Sequence, residues 1–259
     1  IPHHLVDFLD VREEYSAGRF SDDAARLVAE VRARGCTPLI VGGTGFYITA
    51  YADGLSPLPP RNPELRRQLL ASARRDGPER LHELLAHRDP ERAAQIHPRN
   101  THRIIRALEL VMETGMPVST LLRQLPAPPR RAVVLVGFTA SRERIRRRIV
   151  ERVRRMFASG MIEETASLLE RHIPDDSPGF TAIGYRHVID YIRGKLSREE
   201  ALERTVRDTI RYARAQETWF RRDPRIEWFD AESGNAHVLA ERVRAYFRTQ
   251  GVPMEGGSM

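Results

Sequence analysis

Pro38-Leu39-Ile40-Val41-Gly42-Gly43-Thr44-Gly45-Phe46-Tyr47 is the stretch that decides the fold class of this chain. An apolar, β-branched run stops at three glycines around a threonine, then resumes as Phe46-Tyr47-Ile48. The pattern predicts a buried parallel strand over 38–41, a tight turn, and the start of a helix. Upstream, Ser21 reads as an N-cap, with Asp22 and Asp23 complementing the helix dipole. Ala24, Leu27, Val28 and Val31 then recur at helical spacing until Gly35 stops the run. Helix, strand, turn and helix in succession are the repeating unit of an α/β sheet. Ligands of such sheets sit at the carboxyl ends of the strands, where this turn falls. Two readings of the turn stand. Its glycines admit a ligand close to the backbone, with the Thr44 hydroxyl beside free helix N–H groups. Alternatively, Thr44 only caps a glycine-rich turn.

The composition narrows the function classes. At 259 residues, 41% hydrophobic and 30% charged, the chain has the make-up of a soluble globular protein of one large or two smaller domains. No apolar run approaches the roughly 20 residues of a membrane span, no signal-peptide pattern opens the chain, and no membrane partner is expected. A single cysteine, Cys36, excludes an internal disulfide and a multi-cysteine zinc site. It reads as a small core residue beside 38–41, and the expected compartment is the reducing cytoplasm. The net charge of +7 favours a polyanionic partner such as nucleic acid. Lys195 is the only lysine, so nearly all of that basicity is arginine, which grips phosphate bidentately. Lys195 stands in Arg193-Gly194-Lys195-Leu196-Ser197, with Ile189 where a P-loop needs its first glycine. The chain contains no Walker motif.

Two proline-rich borders, Leu55-Ser56-Pro57-Leu58-Pro59-Pro60 and Pro126-Ala127-Pro128-Pro129, enclose an arginine-rich helical stretch. The expected division is a first part of an α/β core at 1–58 and a helical insertion at 59–129. The rest of the core and the carboxyl-terminal helices follow at 130–250, with a disordered tail at 251–259. Residues 132–138 read as a second buried strand and Ile226-Glu227-Trp228-Phe229 as a short final one.

Three segments carry possible chemistry. After Ser141, Ile145, Ile149, Val153 and Met156 form a core stripe, while Arg144, Arg148, Arg152 and Arg155 line a neighbouring face. Stacked like charges at this spacing cost roughly 0.2–0.5 kcal/mol per pair, which an anionic ligand would reverse. The face is either a solvated basic surface or a phosphate site, with Arg148 and Arg152 as candidates. Arg103 and Arg106 open a helix whose dipole disfavours them there, pointing to a ligand role. His97 and His102 lack partners at metal spacing and read as structural, so no metal ligand is assigned. Finally, Arg211–Arg222 interleaves arginines with Tyr212, Trp219 and Phe220, and 181–186 presents Tyr185 and Arg186 from a glycine-containing loop; both are open to RNA contact or to packing.

Taken together, these segments resemble the tRNA dimethylallyltransferases, also called tRNA isopentenyltransferases. The resemblance rests on His4-Leu5-Val6-Asp7, Tyr15-Ser16-Ala17-Gly18-Arg19-Phe20, Gly42-Gly43-Thr44 with Tyr47, and Gly54-Leu55. It continues through Ile96-His97-Pro98, Arg103-Ile104-Ile105-Arg106-Ala107-Leu108-Glu109, Ala182-Ile183-Gly184-Tyr185 and Thr218-Trp219-Phe220-Arg221-Arg222. It implies a P-loop NTPase-like parallel-sheet core, incomplete at its amino-terminal end, with a helical insertion. It also implies dimethylallyl transfer from dimethylallyl diphosphate to N6 of the adenine at tRNA position 37, flipped into a channel, with Mg2+ assisting the diphosphate. By the same resemblance Thr44 lies beside the incoming adenine and Arg152 on the diphosphate, in agreement with the stripe. Arg66, the stretch His102, Arg103, Ile104, Ile105 and Arg106, and the stretch Thr181, Ala182, Ile183, Gly184, Tyr185 and Arg186 match tRNA-contacting segments.

The family's phosphate loop and the aspartate that serves as base are not among these residues. Arg99-Asn100, Ala215 and Glu217 also depart from its usual pattern. The expectation is an amino-terminally truncated, bacterial-type, monomeric member that binds the tRNA anticodon stem-loop and is inactive alone, with a sheet edge and apolar faces left uncovered. Two alternatives are an adenylate isopentenyltransferase acting on AMP and a non-catalytic tRNA-binding remnant.

Overall fold

The computed structural model describes residues 1–253. In chain order its helices begin with α1 (Ala17–Ala33), α2 (Gly45–Asp53), α3 (Pro63–Asp76), α4 (Pro78–Arg88), α5 (Pro90–Ala94), α6 (Thr101–Thr114) and α7 (Val118–Gln124). Strand β1 (Leu135–Thr139), α8 (Arg142–Ala158), α9 (Met161–Glu170), a 3-10 turn (Pro178–Thr181), α10 (Tyr185–Ile192), α11 (Arg198–Phe220), β2 (Ile226–Asp230) and α12 (Ala236–Thr249) follow. The chain divides into two compact units, one made of Ile1–Ala52 with the chain from Arg131 onward, the other of Asp53–Arg130.

The first unit is α/β, as the sequence implied. β1 and β2 pair in parallel, from Leu135 opposite Ile226 to Thr139 opposite Asp230. Ile149, Val153 and Phe157 of α8 pack with Met161, Val188 and Ala201 in a core shared by α8 to α11. Local signals start these helices: Ser141 accepts the Arg144 N–H ahead of α8, and Ser197 and Glu200 form a reciprocal capping box ahead of α11.

Several expectations for this unit are corrected. Residues 38–41 are not a strand: they have no ladder partner among the described residues, and Leu39 and Val41 are 64% and 91% exposed. A parallel strand is stabilised only by bonded neighbours, and β1 and β2 bond to each other. With that segment unpacked nothing covers Cys36, which is exposed. Helix α1 is capped by Ser16, not Ser21. Ser21 is buried instead, and its hydroxyl donates to the Ala50 carbonyl at 3.2 Å, tying α1 to α2. The second strand starts at Leu135 and not at 132, because the Arg131 N–H is already committed to the Ala52 carbonyl at 2.8 Å. At the carboxyl end the Val252 N–H donates to the Phe247 carbonyl and the Thr37 hydroxyl to the Pro253 carbonyl. Residues 254–259 of the expected tail lie outside the described residues.

The second unit is helical. Proline occupies the first position of α3, α4 and α5, where its fixed φ suits a helix start and its missing N–H costs nothing. The helices surround a core that includes Leu69, Leu81, Leu85, Ile104, Ile105 and Leu108. Asp89, 1% exposed, caps α5 by accepting the Arg92 N–H and also accepts from the Ser119 N–H and hydroxyl, which fastens α5 to α7.

Candidate phosphate and nucleic-acid surfaces

In the first unit, the burial of Ile149, Val153 and Phe157 sets the rotation of α8. Phe157 takes the inward place the sequence assigned to Met156, which is 37% exposed. The rotation leaves eight arginines against two glutamates on one helix. Arg148, Arg152 and Arg155 make no ion pair or hydrogen bond among the described residues, whereas the Nε of Arg144 lies 4.0 Å from Glu232. The three unpaired guanidinium groups line a cleft of about 370 Å³ against Thr209, Tyr212, Ala213 and Gln216 of α11. Arg152 and Arg155 also face a second cleft of about 450 Å³, with Ser159, Met161, Glu164 and Tyr185.

The glycine turn is docked on the same helix α11. Gln216 Nε2 donates to the Gly43 carbonyl at 2.9 Å. A Cβ at Gly43 would fall 2.0 Å from Gln216 Nε2, and one at Gly45 would fall 2.2 Å from Cδ1 of Trp219. Gly45 is therefore required by the approach of the rigid Trp219 indole, whereas at Gly43 the neighbour is the movable end of the Gln216 side chain. Thr44 is exposed and its carbonyl accepts from Tyr47 and Ile48, while its hydroxyl has no hydrogen bond among the described residues. Side-chain capping is thus not its role.

In the 181–186 loop, the Thr181 hydroxyl donates to the Pro178 carbonyl, and Ala182 is exposed. Ile183 is half-buried and Gly184 is buried at φ 108°, a conformation that only glycine adopts easily. The Tyr185 hydroxyl donates to Glu164 Oε1 at 2.6 Å; burial first, and Glu164 second, push its pKa up to about 12. Arg186 is exposed, without an ion pair among the described residues.

In the second unit, Asn100 caps α6 at the Arg103 N–H and leaves His102 and Arg103 exposed at its start. Ile104 and Ile105 are wholly buried. Both side chains face the core of the second unit and hold the helix that presents His102 and Arg103. Arg66 and Arg106 are partly buried and converge on Glu109, their Nη1 atoms 3.5 and 3.7 Å from its Oε2. Sequence reasoning passed over Glu109 and Gln216 as site residues, while it placed Arg155 on the arginine face and left Tyr212 open to RNA contact or packing. Only the spacing of three between Arg106 and Glu109 signals one of these contacts locally.

The described residues contain no group of three or more His, Cys, Asp or Glu side chains that could hold a metal. The one carboxylate lining the α8 clefts, Glu164, already accepts the Tyr185 hydroxyl. The described residues of these clefts therefore do not form a Mg2+ site of their own. Among the described residues no helix is long and apolar enough to cross a membrane.

Comparison with known proteins gives this geometry its context. The family model described as IPP transferase matches residues 1–223. A tRNA dimethylallyltransferase of Thermomicrobium roseum is 47% identical over 253 residues, covering 96% of this chain and 76% of that protein. The crystal structure of the full-length tRNA isopentenylpyrophosphate transferase of Bacillus halodurans superposes with a TM-score of 0.67 at 34% identity, covering 96% of this chain and 78% of that one. A eukaryotic dimethylallyltransferase acting on tRNA gives a TM-score of 0.74 at 22% identity, covering 99% of this chain and 67% of that one; it shows the shared fold alone. By both the family match and the identity to its relatives, the chain belongs to the IPP transferase family, the tRNA dimethylallyltransferases.

Proposed function

We propose that the chain serves dimethylallyl transfer from dimethylallyl diphosphate to N6 of the adenine at position 37 of tRNA, as a cytoplasmic monomer, with Mg2+ accompanying the diphosphate. The observation that carries this reading is the stripe of unpaired arginines on α8. Displacing diphosphate from a primary carbon builds negative charge on the leaving oxygens. Guanidinium groups already held in place stabilise that charge more than they stabilise the ground state. In this reading Arg148 and Arg152 hold the diphosphate, and Thr44, with its unengaged hydroxyl, faces the adenine. Thr181 to Arg186 contact the tRNA, as do His102, Arg103, Arg66 and Arg106.

The test is calorimetric titration with inorganic pyrophosphate. Arg148→Ala and Arg152→Ala each weaken binding about tenfold, the loss of one charge-assisted contact, while Arg244→Ala on α12 leaves it unchanged. Equal affinity in all four proteins would remove the diphosphate from this face.

A further inference from the structure

Glu109 is the one carboxylate in the described structure with no exposure at all that also faces two arginines. It sits on the inward stripe of α6 between Leu108 and Leu110, both buried. Arg66 reaches it from α3 and Arg106 from one turn earlier on α6. Arg106 is fixed further by donating from Nη2 to the Pro59 carbonyl. Nevertheless the cluster is not saturated. Both ion-pair distances exceed a normal charge-assisted hydrogen bond, and Glu109 Oε1 and Arg106 Nη1 are buried without hydrogen-bond partners. Burial pushes the neighbouring Arg61 guanidinium below its ordinary pKa, and repulsion from Arg66 adds to this, so positive charge is concentrated here.

A buried ion pair is weak evidence for stability, because a well-packed apolar replacement is often as stable or more so. An unsaturated pair is weaker still. What the arrangement does achieve is to hold two partly exposed arginine side chains at one carboxylate oxygen, with Arg106 Nη1 buried against the carboxylate and the remainder of both side chains partly open to solvent. Side chains gathered at one oxygen lie close enough for one phosphate to bridge them.

We propose that Glu109 is a positioning residue that holds Arg66 and Arg106 side by side for one RNA backbone phosphate. The inference rests on the tRNA reading above and deepens it by naming how the second unit presents its arginines.

The charge sign makes the test decisive. Glu109→Gln removes a negative charge near the RNA, so general electrostatics predicts tighter binding of an anticodon stem-loop. Positioning predicts binding about tenfold weaker, with a shallower dependence on salt, at an unchanged circular dichroism spectrum. Binding as tight as wild type, or tighter, overturns the inference. Should Glu109→Gln fail to fold, Arg106→Lys decides. It keeps the charge but loses the planar fork, so a loss of about tenfold supports positioning and wild-type affinity overturns it. If the wild-type chain binds no stem-loop even at low salt, the tRNA reading falls and this inference falls with it; binding that the variants leave unaltered sinks this inference alone.

Discussion

Replacing Asp89 with alanine is expected to destabilise the helical unit by about 3 kcal/mol. The carboxylate makes three hydrogen bonds: to the Arg92 N–H at 3.0 Å, the Ser119 N–H at 2.9 Å and the Ser119 hydroxyl at 2.8 Å. Loss of an N-cap typically costs about 1 kcal/mol. Each further bond to a charged group contributes about 1.5–3 kcal/mol, and the buried Ser119 N–H would lose its acceptor. Relief of the cost of burying a charge offsets part of the total, which leaves about 3 kcal/mol. In a unit of this size that lowers Tm by about 15 °C. Asp89→Asn keeps the acceptor for Arg92 but turns an amide toward Ser119, and is expected to cost about half as much.

The loss should depend on pH with a defined sign. Burial alone would raise the Asp89 pKa, but the hydrogen bonds from Ser119 and Arg92 outweigh it and hold the carboxyl below its ordinary value. A depressed folded-state pKa contributes stability that is present above the unfolded value near 4 and lost as pH falls through the folded one. Thermal melts of both variants between pH 7 and pH 2.5, with hydrogen exchange at Ser119, are the assay. The gap between wild type and Asp89→Ala should begin to narrow below about pH 4 and go on shrinking as pH falls toward the depressed folded-state pKa. A gap under about 0.5 kcal/mol at pH 7, or one that stays constant down to pH 2.5, would refute the assigned latch.

Gly45→Ala should displace the glycine turn from α11, because the added Cβ meets the rigid indole of Trp219. A cost of about 1–3 kcal/mol and a shifted Trp fluorescence maximum are expected; an unshifted spectrum at full stability would contradict the docking. Tyr185→Phe removes the hydroxyl bond to the exposed Glu164, and solvent screening limits the loss to about 0.5–1 kcal/mol at pH 7. Because the folded-state pKa is raised to about 12, that contribution persists below pH 10 and disappears as pH rises through about 12. A phenolate absorbance titration should lose a component near pH 12 in this variant, and loss of a component near pH 10 instead would show that Tyr185 titrates normally.

Helix faces were legible in the sequence wherever the apolar period was strong. The spacing of Ile149 and Val153 fixed the rotation of α8 and so the outward face of Arg148 and Arg152, although the choice between Met156 and Phe157 turned on packing. The parallel pairing of β1 with β2 joins two apolar runs recognisable in isolation. Residues 38–41 show the limit of that approach. A strand is defined by a partner, and local composition cannot supply one. Ser16 and Ser21 illustrate the same limit for caps: both precede helical sequence, and the bond from Ser21 to Ala50 settled which one faces inward. At the site, the arginine stripe was visible from spacing and a shortage of acids. The clamp from Gln216 to Gly43 spans 173 residues and the contact from Arg66 to Glu109 spans 43, so neither has a local signature.

Titration of the chain with an unmodified anticodon stem-loop carrying adenine 37, across a salt series and with AMP as competitor, separates tRNA recognition from recognition of a free nucleotide. The logarithm of the binding constant is expected to fall linearly with log salt, with a slope of about −3 or steeper; Arg103→Ala and Arg106→Ala each make it shallower by about 0.7, and AMP does not compete. Binding that AMP displaces at comparable concentration, or that ignores salt and both substitutions, would contradict tRNA recognition.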